Sequence, residues 1–214
     1  MSLIKLDLNE FIEEIDSSKP APGGGSVSAY AGTLGIALIR MVGHLSIGKK
    51  KYELLDDAIK LEFEHIIDDL KEFKTKLLSF VDEDTLAFNQ MMLAYKMPKN
   101  SEDEIALRNI AIQSATTQGI ETPLKVAKLS FAALTKLELI MQYGNKSALS
   151  DLGVGALMLS SSVEGALLNV KINLPGLKDK ELVKIYNDEM EYLLLTTLKT
   201  KQEILNKIYK MMND

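Results

Sequence analysis

Apolar residues recur every three or four positions through most of the chain, which is the spacing of amphipathic helices. Alternating apolar and polar runs, which would indicate strands, are not found. The spacing and the helix-breaking residues predict helices over 7–16, 26–45, 52–95, 101–141, 150–172 and 179–211. Long helices joined by short connections predict an all-α fold, a multihelical antiparallel bundle. We expect the remaining apolar faces to pack against a second subunit, so that the protein is a homo-oligomer.

For two of these stretches the sequence allows more than one division into helices. The stretch 52–95 contains neither proline nor glycine and predicts one very long helix, or two with a slight break. The stretch 101–141 contains Pro123, which lacks a backbone N–H and is expected to kink or divide the helix.

Composition narrows the classes of function. The 214 residues, 46% hydrophobic and 26% charged, fit one globular domain spanning 1–214. A net charge of −5 argues against a nucleic acid or an anionic membrane as the main partner. The chain has no cysteine and two histidines, so we expect no metal site and no redox cofactor. The N-terminus lacks an apolar signal core, which favours a cytoplasmic location.

The segment from Pro20 to Ser26 combines two prolines with three consecutive glycines directly before a predicted helix. Glycines permit positive φ and a close approach of backbone N–H groups to a ligand. Ser26 is placed to cap the helix, whose N-terminus attracts anions. The segment therefore predicts a backbone cradle for an anionic or polar ligand that includes Gly24 and Gly25, although a flexible linker has the same composition.

Asp84 interrupts an apolar helical stripe. The stripe consists of Leu77, Phe80, Val81, Ala87, Phe88 and Met91, and Asp84 lies at its centre. A carboxylate on a core-facing stripe is costly to bury unless it is paired or protonated, and desolvation raises its pKa towards the range useful for acid–base catalysis. The alternative is a structural aspartate paired with a lysine of a neighbouring helix.

Several other polar residues have both a structural and a functional interpretation. The run Lys49–Lys51 is either a solvated helix end or a binding site for a carboxylate or phosphate, with Tyr52 available to stack on a ring. Arg108 has the same two interpretations. Asn145 after Gly144 suits a helix C-terminal turn, and Ser150 and Asp151 suit an N-cap followed by an acidic residue in the first turn. Asn169 and Asn173 lie one helical turn apart on an apolar segment, where buried amides need partners from the backbone or from a heteroaromatic ligand.

Taken together, the chain resembles the formiminotetrahydrofolate cyclodeaminase and methenyltetrahydrofolate cyclohydrolase family. The matching blocks are PAPGGGSVSAYAG (20–32), MVGHLSIGKKKY (41–52), VDEDTLAF (81–88), MPKN (97–100), AIQ (111–113), GN…SDLGVGA (144–156) and LNVKINL (168–174). They follow the order of the family and cover almost the whole chain.

The resemblance implies an all-helical homodimer or larger assembly with a folate substrate and a catalytic aspartate at Asp84. The residues that we expect to bind the substrate are Gly24, Gly25, Ser26, Lys49, Lys50, Lys51, Arg108, Asn145, Asp151 and Asn169. The chain departs from the family at Ile105, where relatives often carry a lysine, so that Lys99 or the triple lysine would have to replace it.

The reaction implied is formiminotetrahydrofolate cyclodeamination, with Asp84 as general acid and base and without metal or cofactor. The alternative is hydrolysis of methenyltetrahydrofolate to 10-formyltetrahydrofolate by the same residue. A further alternative is a helical oligomer that binds folate without catalysis. In the first case a separate formiminotransferase would supply the substrate.

Overall fold

The computed structural model describes residues 2–213, and helices contain most of them. The helices are α1 (Leu8–Ile15), α2 (Gly24–Ser46), α3 (Lys50–Glu53), α4 (Asp57–Lys96), α5 (Glu102–Thr135), α6 (Leu137–Tyr143), α7 (Leu149–Asn173) and α8 (Lys180–Asn213). Short 3₁₀ turns cover Leu3–Lys5, Lys146–Ala148 and Leu174–Gly176. No strand occurs within residues 2–213. The prediction of an all-α fold is confirmed.

Helices α2, α4, α5 and α7 form the centre of the fold as a four-helix arrangement in which neighbours are antiparallel. Gly25 faces Asp84 and Gly43 faces Ile67, so α2 and α4 run in opposite directions. The other seams are marked by Gly24–Asn169 and Gly35–Gly155 (α2–α7), Ser130–Ser162 (α5–α7) and Asp69–Lys136 (α4–α5). Helix α8 packs outside α5 and α7.

Helix α2 carries a face of small residues that lets three helices approach it closely. A Cβ on Gly32 would lie 2.7 Å from the Ser162 hydroxyl and 2.8 Å from the Ser130 hydroxyl, and these two hydroxyls hydrogen-bond each other across 2.8 Å. A Cβ on Gly35 would lie 2.9 Å from the carbonyl oxygen of Gly155 on α7. Small residues therefore allow close packing on this face of α2.

Helix α2 is also apolar and long enough to cross a membrane by length and composition alone, and so is the segment Lys146–Gly176. In both segments 56% of the most apolar window is buried inside the protein. The core helix of a bundle has the same properties.

Several predicted boundaries are wrong. Helix α2 begins at Gly24, because the N–H of Val27 already donates to the carbonyl of Gly23, so Ser26 lies within the first turn and does not cap it. Helix α7 begins at Leu149 behind a 3₁₀ turn, so Ser150 does not cap it either. For the stretch 52–95 the second of the two predicted alternatives holds, since it is broken near its start, between α3 and α4.

Pro123 does not divide its helix. Helix α5 continues through it to Thr135, and the break before α6 falls at Lys136. The proline leaves the carbonyl of Gly119, four residues earlier, without its usual helical donor. The side-chain amide of Asn173 on α7 donates to that carbonyl at 2.9 Å and satisfies it.

The close contact between α2 and α7 predicts that Gly35→Ala destabilises the protein. The added methyl group would meet the Gly155 carbonyl and Leu159, so the two helices must separate, at a cost of about 1–3 kcal/mol. Gly153→Ala is the matched control, because a Cβ there meets nothing closer than 3.8 Å. Chemical unfolding followed by far-UV circular dichroism measures both variants, and equal stabilities would contradict the packing described.

Candidate functional site

A cleft of about 320 Å³ opens where the N-terminus of α2 meets α4, α5 and α7. Its lining residues are Pro20, Ala21, Gly23, Gly24, Gly25, Asp84, Ala87, Phe88, Met91, Gly119, Asn169, Ile172 and Asn173. Apolar side chains therefore surround a small number of polar groups, which is the usual composition of a small-molecule site.

Asp84 lies on the cleft wall, and its carboxylate is held by the first turn of α2. The backbone N–H of Ser26 donates to Oδ2 at 2.9 Å, and the Ser26 hydroxyl lies 3.2 Å from the same oxygen. No lysine or arginine pairs with Asp84 within residues 2–213. The alternative of a structural aspartate paired with a lysine of a neighbouring helix is therefore wrong.

Gly25 is required by the position of this carboxylate. A Cβ on Gly25 would overlap Oδ1 of Asp84, so no other residue allows the same contact. The predicted positive φ is wrong, because among the described residues only Gly48 has a positive φ, of 77°. The glycines serve close approach, and the anion at the N-terminus of α2 is the carboxylate of Asp84 itself.

The Ser26 hydroxyl has one proton and three neighbouring oxygens. It donates to the carbonyl of Val81 at 2.8 Å, and it also lies 3.2 Å from Thr85 Oγ1 and 3.2 Å from Asp84 Oδ2. The hydroxyl can donate to Oδ2 of a charged Asp84 instead of to Val81, and when it donates to Val81 a protonated Asp84 can donate to it. The network therefore accommodates both protonation states of Asp84.

The pKa of Asp84 is raised above its ordinary value. Burial is the largest cause, because the cleft removes water from the charged form, whereas the side-chain and backbone hydrogen bonds of Ser26 lower the pKa. Burial prevails. A carboxyl group that is shifted in this way and faces a cleft is suited to accept and return a proton.

Two asparagines of α7 complete the polar wall. The side-chain amide of Asn169 donates to the carbonyl of Gly165 at 2.8 Å, and its nitrogen lies 3.2 Å from the position of a Cβ on Gly24. Asn173 lies one turn further and donates to Gly119. The expected site residues Gly24, Gly25, Ser26, Asp84 and Asn169 are thus brought together.

The remaining expected residues lie elsewhere in the chain. Lys49, Lys50 and Lys51 are exposed around α3, at the opposite end of α2. Asn145 donates its backbone N–H to Ser46 Oγ at 2.8 Å, and its side chain caps the following 3₁₀ turn. Asp151 is half-buried in the first turn of α7. The length of α2, about 34 Å, separates this group from Asp84 within one chain.

Arg108 lies at a third location, near the start of α5. Its Nη2 donates to the carbonyl of Tyr95 at 3.1 Å, and its guanidinium carbon lies 5.9 Å from the centre of the Tyr95 ring. Tyr95 follows Asp84 by eleven residues on α4, which corresponds to about 16 Å along the helix. Arg108 is therefore outside the cleft, at the same end of the bundle.

Some features of the site were not found from the sequence. Tyr52 cannot stack on a ligand as expected, because it is 3% exposed and packs edge-on against Phe63. Gly119 lines the cleft, and the only signal for it in the sequence was the proline four residues later, whereas Asn173, which the sequence singled out together with Asn169, lines the cleft as well. Within residues 2–213, no group of three potential metal-binding side chains is found.

Comparison with known proteins places this arrangement in a family. The model of the formiminotransferase-cyclodeaminase family matches residues 7–192, most of the chain. The chain belongs to the formiminotransferase-cyclodeaminase family. This match confirms the resemblance inferred from the ordered sequence blocks.

Named relatives differ in activity and in length. The methenyltetrahydrofolate cyclohydrolase of Methylorubrum extorquens is 30% identical over 96% of this chain and 97% of its own. The formimidoyltransferase-cyclodeaminase of Gallus gallus is 36% identical over 84% of this chain, which spans only 32% of that protein. The crystal structure of formiminotetrahydrofolate cyclodeaminase from Thermotoga maritima has a TM-score of 0.77, with 27% identity, covering 98% of this chain and 96% of that one.

The raised pKa of Asp84 predicts a pH-dependent stability difference between the wild type and Asp84→Asn. In the unfolded chain Asp84 loses its proton near the ordinary aspartate pKa of about 3.9, whereas in the folded protein it keeps the proton to higher pH. Stability relative to the variant therefore falls as pH rises from about 3.9 through the folded pKa, and then levels off. Denaturant unfolding of both proteins between about pH 4 and pH 8 measures the difference. A difference that rises with pH would show that the pKa is lowered instead.

Proposed function

We propose that this family member is a folate one-carbon enzyme, a formiminotetrahydrofolate cyclodeaminase in which Asp84 moves the proton. The observation that carries the proposal is the unpaired, desolvated carboxylate on the wall of a cleft. The full-length similarity to the cyclodeaminase of Thermotoga maritima supports this reaction. The equally complete similarity to the cyclohydrolase of Methylorubrum extorquens supports methenyltetrahydrofolate cyclohydrolase as the second candidate.

In the cyclodeaminase reaction, N10 of the folate attacks the carbon of the protonated formimino group on N5. Asp84 accepts the proton that N10 loses as the N10–carbon bond forms. It then returns this proton to the departing nitrogen, which leaves as ammonia when its bond to carbon breaks. The remaining cation is 5,10-methenyltetrahydrofolate. Before it accepts the proton of N10, and again after it has returned that proton, the carboxylate also stabilises the positive charge of the substrate and of the product.

In the cyclohydrolase reaction the same carboxylate takes a proton from water as the water oxygen bonds to the methenyl carbon. Asp84 returns this proton to N5 as the bond from that carbon to N5 breaks, and the added hydroxyl loses its own proton to solvent as the formyl C=O bond forms. The product is 10-formyltetrahydrofolate, and one proton is released overall. Both reactions place the bridging carbon near Asp84, so the geometry of the carboxylate serves either one.

The folate tail would leave the cleft along α4 and α5. The cleft of about 320 Å³ suits a bicyclic ring and its one-carbon bridge better than a whole folate. Arg108 on α5, which contacts Tyr95 about 16 Å beyond Asp84 along α4, is in a position to bind a glutamate carboxylate of the tail. Its buried Nε has no hydrogen-bond partner in the described structure.

A homodimer would bring together the expected site residues around Asp84 and those at the opposite end of α2. Helix α2 exposes or half-exposes an uncharged stripe with alternating spacings of four and three, made of Val27, Ala31, Leu34, Leu38, Met41 and Leu45. This is the pattern of a helix-pairing seam. A two-fold axis near the middle of the stripe would place the triple lysine of one copy beside Asp84 of the other.

The dimer predicts that Leu34→Glu yields a monomer, because a charge would be buried at the centre of the seam. Leu61→Glu is the matched control, since Leu61 is 56% exposed between charged residues of α4. Sedimentation velocity should show a dimer for the wild type and the control. A monomeric wild type, or a dimer in all three, would exclude this seam.

Asp84→Asn tests the chemistry. We expect kcat to fall by roughly 10²–10⁴-fold, the usual contribution of a general acid or base, with the fold retained. Glu83→Gln is the control, because Glu83 is exposed and bonds only Ser79. The assay offers formiminotetrahydrofolate and methenyltetrahydrofolate separately and follows the absorbance of the methenyl group.

The outcomes of this assay are distinct. Appearance of the methenyl absorbance from the first substrate supports the cyclodeaminase, and its accelerated loss from the second supports the cyclohydrolase. If the wild type changes the methenyl absorbance with neither substrate, the non-catalytic oligomer is favoured. Near-normal turnover by Asp84→Asn would remove Asp84 from the mechanism.

A further inference from the structure

The α7 wall of the cleft presents hydrogen-bond acceptors of fixed orientation. The Nδ2 groups of Asn169 and Asn173 donate to the carbonyls of Gly165 and Gly119. Because a carbonyl oxygen only accepts, these contacts determine which end of each amide is nitrogen. Within the described residues, neither Oδ1 atom has a hydrogen-bond donor. Both asparagines line the cleft.

The orientation of Asn173 depends on Pro123. In an ordinary helix the carbonyl of Gly119 would accept from the N–H of residue 123, and Asn173 would be free to rotate. Proline has no such N–H, so the carbonyl is available to Asn173 across the helix interface at 2.9 Å. A proline inside a helix costs about 3 kcal/mol relative to alanine, and here it supplies an anchor for a residue of the cleft.

Asp84, Asn169 and Asn173 lie in sequence along the cleft. Asp84 contacts Gly25 and Asn169 contacts the adjacent Gly24. Asn173 lies one turn further on α7, and Gly119 beside it faces Met91, which is two turns beyond Asp84 on α4. Asn173 is therefore the more distant of the two asparagines from the carboxylate.

We propose that the two carboxamide oxygens recognise the pyrimidine edge of the pterin ring, with Asn169 accepting from N3–H and Asn173 from the 2-amino group. This inference rests on the proposed folate substrate and adds its orientation. A ligand that presented acceptors to this wall would be repelled, whereas this edge presents two neighbouring N–H donors. The 2-amino group is the donor farther from N5, so its position matches the asparagine farther from Asp84.

Binding measurements with two ligands test this assignment. Tetrahydrofolate carries the 2-amino group, and 2-desamino-2-methyltetrahydrofolate carries a methyl group in its place. We expect Asn173→Ala to weaken the binding of tetrahydrofolate on the order of 10-fold, because one hydrogen bond to a buried partner is lost. Anaerobic titration calorimetry measures this affinity. The variant should bind the desamino analogue as the wild type does. An equal loss with both ligands would overturn the assignment.

A second variant separates recognition from structural support. Asn173→Ala also leaves the carbonyl of Gly119 without a donor, which alone could distort the cleft. Adding Pro123→Ala restores a backbone N–H for that carbonyl. The double variant should still bind tetrahydrofolate more weakly than the wild type does, while its affinity for the desamino analogue is unchanged. Recovery of wild-type affinity would show that Asn173 acts only by satisfying Gly119.

Pro123→Ala alone provides the positive test of orientation. With the helical bond restored, Asn173 loses its anchor, and we expect weaker tetrahydrofolate binding although the helix itself becomes more stable. Asn206→Ala on the exposed face of α8 is the control for the loss of an amide. If the wild type binds neither ligand, the proposed folate function fails. If the wild type binds tetrahydrofolate and Asn173→Ala binds it equally well, only the present inference fails.

Discussion

The site depends on one carboxylate being held against the first turn of a helix. Asp84 occupies the space that a side chain on Gly25 would fill, and the N–H of Ser26 reaches its Oδ2. The positive end of the α2 dipole and this N–H favour the anion, whereas burial opposes it more strongly. Because the Ser26 contacts favour the charged form and burial favours the protonated form, both protonation states fit the same fold.

The same helix that holds the carboxylate also sets the spacing of the bundle. Helix α2 approaches α4, α5 and α7 through glycine and serine, so backbone and hydroxyl groups replace bulky contacts. At its N-terminus this close approach places α4 and α7 on either side of the glycine segment. The cleft is consequently a result of helix packing: α2, α4, α5 and α7 form most of its wall, and the segment before α2 contributes Pro20, Ala21 and Gly23. A site built in this way positions acceptors accurately.

Helical periodicity was sufficient to predict the all-α fold and to identify Asp84, because both follow from spacing along a single helix. Contacts between helices were not predictable in the same way. Ser26 matched a helix cap in its local sequence, but its hydroxyl bonds Val81 on another helix. Pro123 matched a helix break, whereas a side chain from α7 compensates for the missing donor. Local rules failed where a distant element supplied the partner.

The separation of the expected binding residues has a physical interpretation. Asn145 and the residues around the triple lysine lie a full helix length from Asp84, yet they belong to the same ordered blocks. Asn145 caps a 3₁₀ turn, whereas Lys49, Lys50 and Lys51 are exposed. Helix α2 carries an uncharged outer stripe, and the symmetric pairing proposed along it would bring opposite ends of two copies together. The lysines would then supply the cationic surface that the cleft of a single chain lacks.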